Sequence, residues 1–173
     1  MAARDNLLGI NVLVNYEADL ALLIDPPPSA DMRELIVKKQ PLCAVVSSSH
    51  PLAQLQSVRI RDCCAYPIAM PGQSLAIRTL LNESINRNQL DVEVAVESDA
   101  LEFLRNFVVR EPAVTFQPLS GVPRSDDRIC AHPISTLDLD HIRVVLAQLK
   151  GRTLPSAAEK FAEQLISHLS DLS

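Results

Sequence analysis

The sequence predicts an α/β protein with largely parallel sheets, and three features carry that reading. Short apolar runs alternate along the chain with segments of helical spacing. Three of the runs are nearly continuous in apolar character, as strands buried on both faces are. The helical segments follow serine, and Pro112 stops one of them, where helices ordinarily start and end.

Taken in order, the stretch to Tyr16 reads as helical, although its apolar residues keep no clean period. "DLALLI" (19–24) is the first strand. Pro26-Pro27-Pro28 follows it directly, so a surface loop leaves its carboxyl end, the edge at which open α/β sheets bind ligands. "LCAVVS" (42–47) is the next strand, and it stops at three serines and His50-Pro51. Proline fixes its own φ and keeps the preceding residue out of the helical region, so His50 is extended and Pro51 opens a new direction. After Gly72-Gln73-Ser74 a stripe of Ile77, Leu80, Leu81 and Ile85 predicts a helix with Ser74 as its N-cap.

"VEVAVE" (92–97) alternates until its end, as a strand with one less buried face does. Ser98 is placed to cap a helix striped by Ala100, Phe103, Leu104, Phe107 and Val108, which Pro112 ends. "AVTFQ" (113–117) and "IRVVLAQ" (142–148) are the remaining strands. Ser156-Ala-Ala-Glu159 fits a capping box ahead of a last helix striped by Ala158, Phe161, Ala162, Leu165, Ile166 and Leu169.

Composition narrows the function. At 173 residues the chain makes one domain or two small lobes sharing a core, and 47% hydrophobic residues indicate a packed protein. Aromatics are 3% with no Trp, which argues against a base-stacking platform for single strands. A net charge of −5 and a longest basic run of Lys38-Lys39 argue against a grip on DNA by this chain. No apolar run approaches the roughly 18 to 20 residues of a membrane span. Met1-Ala-Ala-Arg-Asp shows no signal-peptide core, so a cytoplasmic location is expected. The four cysteines form no C-x-x-C pair and the four histidines show no ligand spacing. No metal or cofactor is expected, and the cysteines read as incidental thiols.

The order of "EADLAL" (17–22), "HPLA" (50–53), "PGQS…R" (71–78), "VESDAL" (96–101), a strand ending in "FQP" (116–118), and "RTLPSAAEKFAEQL" (152–165) resembles the effector-binding domain of LysR-type transcriptional regulators. Each motif is weak by itself; their order over about 150 residues carries the resemblance. The resemblance implies a type 2 periplasmic-binding-protein fold, with two Rossmann-like α/β lobes joined by two crossing strands around a small-molecule cleft. It makes "LCAVVS" the first crossing strand, His50 a structural corner and "IRVVLAQ" the returning strand. Lobe one would hold residues 1 to about 45 and about 146 to 173, and lobe two those between.

Two departures from the family pattern stand out. A full effector domain would begin some tens of residues earlier, so the first lobe is expected to be incomplete. The DNA-reading winged helix-turn-helix lies upstream in the family, so DNA would be reached only through a domain absent from this chain. Secondly, the family writes a Gly-x-Gly-Ile type turn where this sequence has Arg110-Glu111-Pro112-Ala113-Val114. Glycine allows close backbone approach, so this substitution alters the cleft wall.

Five residues are candidate effector contacts. Gln73 and Ser74 stand at a helix N-terminus, where free N–H groups and the dipole favour an anion such as a carboxylate, and the resemblance turns their loop toward the cleft. Thr115 and Gln117 are polar within an apolar strand and need partners if buried; the alternative is that strand alternation points them outward. Asp25 ends the first strand at its carboxyl edge. Asp19 reads as a local turn residue, and Glu83, Glu97 and Glu102 as surface charges. No phosphate loop, paired acid/base carboxylates or nucleophile motif is present, so no catalytic residue is assigned.

The resemblance thus implies an effector-sensing and oligomerisation domain of a transcriptional regulator, working by a ligand-shifted arrangement of its lobes. A solute-binding protein or an enzyme of the same fold is the alternative. Self-association is expected as a homodimer or higher homo-oligomer, because an incomplete first lobe would expose apolar edges.

Overall fold

The computed structural model describes residues 4–170. In chain order the elements are α1 (Arg4–Val14), β1 (Ala21–Ile24), β2 (Met32–Gln40), β3 (Leu42–Ser47), α2 (Ile60–Cys63), β4 (Ile68–Pro71), α3 (Ala76–Arg87), β5 (Val94–Ser98), α4 (Leu101–Arg110), β6 (Thr115–Pro118), β7 (Ile129–Pro133), β8 (Ile142–Leu149) and α5 (Ser156–Ser170). Short 3-10 turns follow His50 and Pro118. The first three residues of the stretch read as N-terminal helix lie outside the described residues. The described residues form two compact units, one up to Gln40 and from Ile142 onward, the other Pro41–His141.

In the first unit β8 is the middle strand of a sheet ordered β1-β8-β2, antiparallel to both neighbours. Val144–Ala147 of this middle strand are all buried, so both of its faces are covered. Leu13 of α1 packs with Val145 and Ala147, flanked by Ala21 and Met32. Asn6 closes part of the outer edge of β1 with a side chain in place of a strand. Its Nδ2 donates to the Ile24 carbonyl at 2.6 Å and its Oδ1 accepts from the Ile24 N–H at 3.3 Å. Asp19, read from the sequence as a local turn residue, instead makes a long-range ion pair with Arg152 Nη2 at 2.6 Å.

The second unit is built on β4 and β5, which run parallel, and on an antiparallel sheet ordered β6-β3-β7. A parallel bridge from Ile68 to Val114 joins β4 to the start of β6. Ala69, Leu104, Val108 and Ala113 form a core cluster, covered by Val96, Leu101 and Phe107. Four of these seven, Leu101, Leu104, Phe107 and Val108, belong to α4, three of them from its predicted stripe, and they lay that helix against β4 and β6.

Three expectations are corrected. The paired strands are mostly antiparallel, with β4–β5 and two isolated bridges the parallel exceptions among the described residues. A continuous apolar run reports burial on both faces and carries no information on direction. The predicted serine caps are displaced as well. Leu75 and Ala100 are the N-cap residues of α3 and α4, neither with a side-chain cap bond, and Ser156 is the first residue of α5. Ser98 Oγ instead accepts from the Ala100 N–H at 3.1 Å, closing a turn just ahead of the helix. Strands β2, β4 and β7 are additions to the five predicted. The charges of "MRELIVKKQ" mask an edge strand, and the other two are only four and five residues long.

One carboxylate fastens the second unit. Asp138, 2% exposed, accepts from Arg59 Nε at 2.8 Å and Nη2 at 2.6 Å and from the Ile60 N–H at 2.8 Å. Its backbone carbonyl accepts from Ser84 Oγ at 2.8 Å and from the Arg87 guanidinium on α3. The Arg59 hydrogen bonds hold the Asp138 carboxyl below the usual carboxylate range against the opposing effect of burial. A lowered folded value means that this stabilisation is present above the unfolded value, about pH 4, and is lost as pH falls through the lower folded one. Asp138→Ala leaves Arg59 and the Ile60 N–H without their acceptor, and is expected to cost about 2–3 kcal/mol in urea denaturation at pH 7. The difference from the parent should shrink as the pH is lowered below 4. An equal difference at pH 7 and pH 3 would show that the carboxylate is not the cause.

Candidate functional site

β4 and β5 end side by side, Pro71 opposite Ser98, and each runs through a short turn into a helix. Two loops therefore meet at one edge of the parallel pair. The Gly72 N–H donates to the Ser98 carbonyl at 2.9 Å, and Ser74 Oγ donates to Asp99 Oδ1 at 2.9 Å. Gly72 is what permits this contact. A Cβ there would stand 1.8 Å from Asp99 Oδ1 and 2.8 Å from its Cγ, so the position admits no side chain while Asp99 stays in place.

Arg78, in the first turn of α3, locks the same edge from behind. Its Nη1 donates to the Pro71 carbonyl at 2.7 Å and to Glu97 Oε2 at 2.8 Å, and its Nε donates to Asn82 Oδ1 at 3.0 Å. One guanidinium thus joins the ends of both strands to the helix that follows the first.

Ser74 is therefore a donor to Asp99, and its predicted N-cap role is not observed. The reason is electrostatic: Asp99 sets a carboxylate two residues ahead of α4 and against the residue two ahead of α3, near helix starts that favour negative charge. The resident carboxylate changes what the edge can bind. A ligand hydroxyl or ammonium can donate to Asp99, whereas a bare anion there meets like charge. Gln73 is an exposed residue of the same turn.

Thr115 and Gln117 are both fully buried in β6, so neither faces outward. Gln117 has local partners: Oε1 accepts from Arg105 Nη1 at 2.8 Å and Nε2 donates to the Leu101 carbonyl at 2.8 Å. It binds α4 to β6. Thr115 Oγ1 is buried with no hydrogen-bond partner among the described residues, an uncommon state for a hydroxyl. Asp25 lies in the first unit, at φ 44, a backbone conformation that aspartate tolerates better than most residues. Its Oδ1 accepts from the Arg143 N–H at 3.1 Å, and its own N–H donates to the Arg143 carbonyl at 2.8 Å. Burial pushes its carboxyl above the usual range, against the pull of Arg143.

The structure thus brings Gln73 and Ser74 into one turn and Thr115 and Gln117 onto one strand of the same unit. Sequence reasoning missed Gly72, Arg78 and Asp99 as site residues, although all three lie inside the motifs "PGQS…R" and "VESDAL". Their spacing gave no sign that two loops 25 residues apart share a contact. Arg105 carried only a positional signal, one helical turn after Leu101. Among the described residues no His, Cys, Asp or Glu cluster could hold a metal ion, and no helix is long and apolar enough to cross a membrane.

The mixed α/β fold matches that of solved effector-binding domains of the type 2 periplasmic-binding-protein-like class. Within that class, the family described as LysR substrate binding domain matches residues 9–170, and the chain belongs to that family. It is 23% identical over 160 residues to the uncharacterized HTH-type transcriptional regulator YybE of Bacillus subtilis (strain 168), covering 92% of this chain and 54% of that one. The chain therefore spans about half the length of that relative. Among solved structures, the regulatory domain of Synechocystis PCC6803 CcmR in complex with 2-PG superposes with a TM-score of 0.72 at 19% identity, covering 91% of this chain and 76% of that one. The effector binding domain of QuiR in complex with shikimate gives 0.68 at 20%, covering 99% and 76%. The relatives and fold neighbours are transcriptional regulators, not enzymes.

Gly72→Ala should displace Asp99 and cost about 1–2 kcal/mol in urea denaturation. In an Asp99→Ala background the same substitution should cost clearly less, because the two closest atoms are gone and only the backbone N of residue 99, at 3.1 Å, remains tight. Equal costs in the two backgrounds would place the strain elsewhere.

Proposed function

We propose that this chain is the small-molecule effector-sensing and oligomerisation domain of a LysR-type regulator acting in the cytoplasm. Effector binding shifts the balance between lobe arrangements, and DNA is contacted through a domain outside residues 1–173. The observation that carries the reading is the Ser74–Asp99 pair seated over Gly72 at the shared end of β4 and β5. It is a polar, sterically defined contact at the edge where such sheets take ligands.

The resident carboxylate points to a hydroxylated small acid as the effector. A hydroxyl of that ligand donates to Asp99, while Gln73 and the N–H groups at the start of α3 receive its carboxylate. Shikimate, the ligand in the QuiR structure, is of this chemical class. Thr115 stays in the proposed set as the buried hydroxyl without a partner, but it lies at the amino end of β6, away from the Ser74–Asp99 turn, and does not meet the same ligand group. Gln117 completes the proposed set of this unit through the hydrogen-bonding capacity its local partners leave, and Asp25 is a proposed contact of the first unit by itself.

Calorimetric titration with shikimate and with a cyclohexene carboxylate lacking its hydroxyls tests the chemistry. The hydroxylated acid should bind more tightly, and Asp99→Asn and Ser74→Ala should each weaken it about tenfold or more. Affinities within twofold of the parent in both variants would remove this turn from the binding site.

Self-association rests on apolar side chains left exposed in the first unit, Leu7, Leu8 and Leu22 among them, beside the edge strand β1. Sedimentation equilibrium should find dimers or larger species at micromolar concentration. A monomer throughout the micromolar to millimolar range would count decisively against it.

A further inference from the structure

A cavity lies in the unit Pro41–His141, at the end of its strands away from the Ser74–Asp99 turn. β3 runs antiparallel to β6, with Leu42 opposite Pro118 and Val45 opposite Thr115. β6 is joined in parallel to β4 by the Ile68–Val114 bridge. The carboxyl end of β3, at Ser47, is therefore beside the amino end of β6, whereas Gly72 and Asp99 follow the carboxyl ends of β4 and β5. The cavity measures about 260 Å³. One side comes from the turn after β3 and the other from the end of α4 and the segment leading into β6.

Its lining carries both signs of charge. Arg110 and Glu111 are exposed and adjacent, and among the described residues neither side chain has an ion-pair or hydrogen-bond partner. Glu111 follows α4 directly, where the last-turn carbonyls make the negative end of the helix dipole. Opposite in sequence, the Ser47 and Ser49 hydroxyls lie 3.0 Å apart and both line the cavity. His50 also lines it and is 4% exposed. Its Nδ1 accepts from the Leu52 N–H at 3.2 Å, which assigns the ring proton to Nε2, an atom buried without a partner. Burial holds its pKa below the usual value, so the ring adds no positive charge at neutral pH. Val109, Pro51 and Pro112 supply apolar surface.

We propose that this cavity binds a small free α-amino acid, with the carboxylate on Arg110 and the ammonium held by Glu111, the carboxyl end of α4 and the serine hydroxyls. The class follows from the charges. A monocarboxylate leaves Glu111 and the helix end facing an anion, and a simple amine leaves Arg110 unmatched. The volume lies just below the roughly 300 Å³ at which drug-sized pockets begin, which suits a small amino acid with an aliphatic or hydroxylated side chain. The Arg110–Val114 segment, expected on the effector-cleft wall, lies at the opposite end of the strands from Gly72 and Asp99, so no residue of this cavity is shared with that turn and the inference does not depend on the effector reading.

The test is ligand-observed NMR and calorimetry on the 173-residue chain with L-alanine, L-serine and L-glutamine, beside acetate and methylammonium as half-ligands. At least one amino acid should saturate the chain while neither half-ligand does. Arg110→Gln and Glu111→Gln, both exposed positions that leave the core intact, should each weaken binding about tenfold or more. Asp99→Asn should leave it within twofold, which separates this site from the proposed effector site. Absence of saturable binding by all three amino acids, affinity unchanged in Arg110→Gln and Glu111→Gln, or loss of binding in Asp99→Asn would each overturn the proposal.

Discussion

Helix α3 is held at both ends by guanidinium and hydroxyl groups, and the geometry of the site depends on that double attachment. At its carboxyl end Ser84 and Arg87 reach the carbonyl of Asp138, whose carboxylate in turn holds Arg59 and the Ile60 N–H. At its amino end Arg78 reaches the Pro71 carbonyl and Glu97. A helix fixed at one end could pivot and carry the Gly72–Leu75 turn with it. Fixed at both, it sets that turn against Asp99 to within the tolerance of a hydrogen bond, and the absence of a Cβ at Gly72 lets the two loops close the last gap. Stability and site geometry are therefore one network in this unit: the groups that satisfy a buried carboxylate also orient the helix that opens the site.

Most polar groups near the site are already engaged, and this limits what a ligand can find there. Gln117 bridges Arg105 and Leu101 and Ser74 donates to Asp99; in the first unit, by itself, Asp25 closes the β1–β8 ladder against Arg143. Of the polar side chains singled out from the sequence, Thr115 is the one with an unpartnered buried hydroxyl. Counting residue types therefore overstates the donors available to an anion. Asp99 supplies one fixed acceptor, and acceptors select for donors on the ligand.

How much was legible in the sequence follows from range. Apolar runs long enough to be buried on both faces, such as "LCAVVS" and "IRVVLAQ", became strands over nearly the same residues, and the stripes of α3, α4 and α5 became helices. The direction of strand pairing was not legible, because burial is blind to it. Edge strand β2 was missed because its charges break the apolar pattern, as charged edges do. The serine caps failed for a related reason. Ser74 and Ser98 have local alternatives, a carboxylate 25 residues away and a turn of their own, and a short polar side chain bonds whichever partner the fold brings near. Arg78 and Asp99 lay inside recognisable motifs, but their roles come from a contact between loops that no periodicity encodes.

The remaining question is why the chemistry gathers at the two ends of the strands and not along them. β3, β4 and β6 are buried through nearly their whole lengths, and a buried strand has its backbone groups paired and its side chains packed. Polar side chains there must be satisfied internally, as Gln117 is, or remain without partners, as Thr115 does. At the strand ends the ladder stops, and polar groups can face solvent or ligand without that cost. The two ends differ in sign. Toward the Gly72 edge the helices α3 and α4 present their amino ends, and the resident Asp99 offsets their positive poles. Toward the Ser47 edge α4 presents its carboxyl end, beside an arginine and a glutamate whose side chains have no partner among the described residues. One helix thus gives opposite electrostatic character to the two edges of a single unit, so a ligand group suited to one edge is disfavoured at the other.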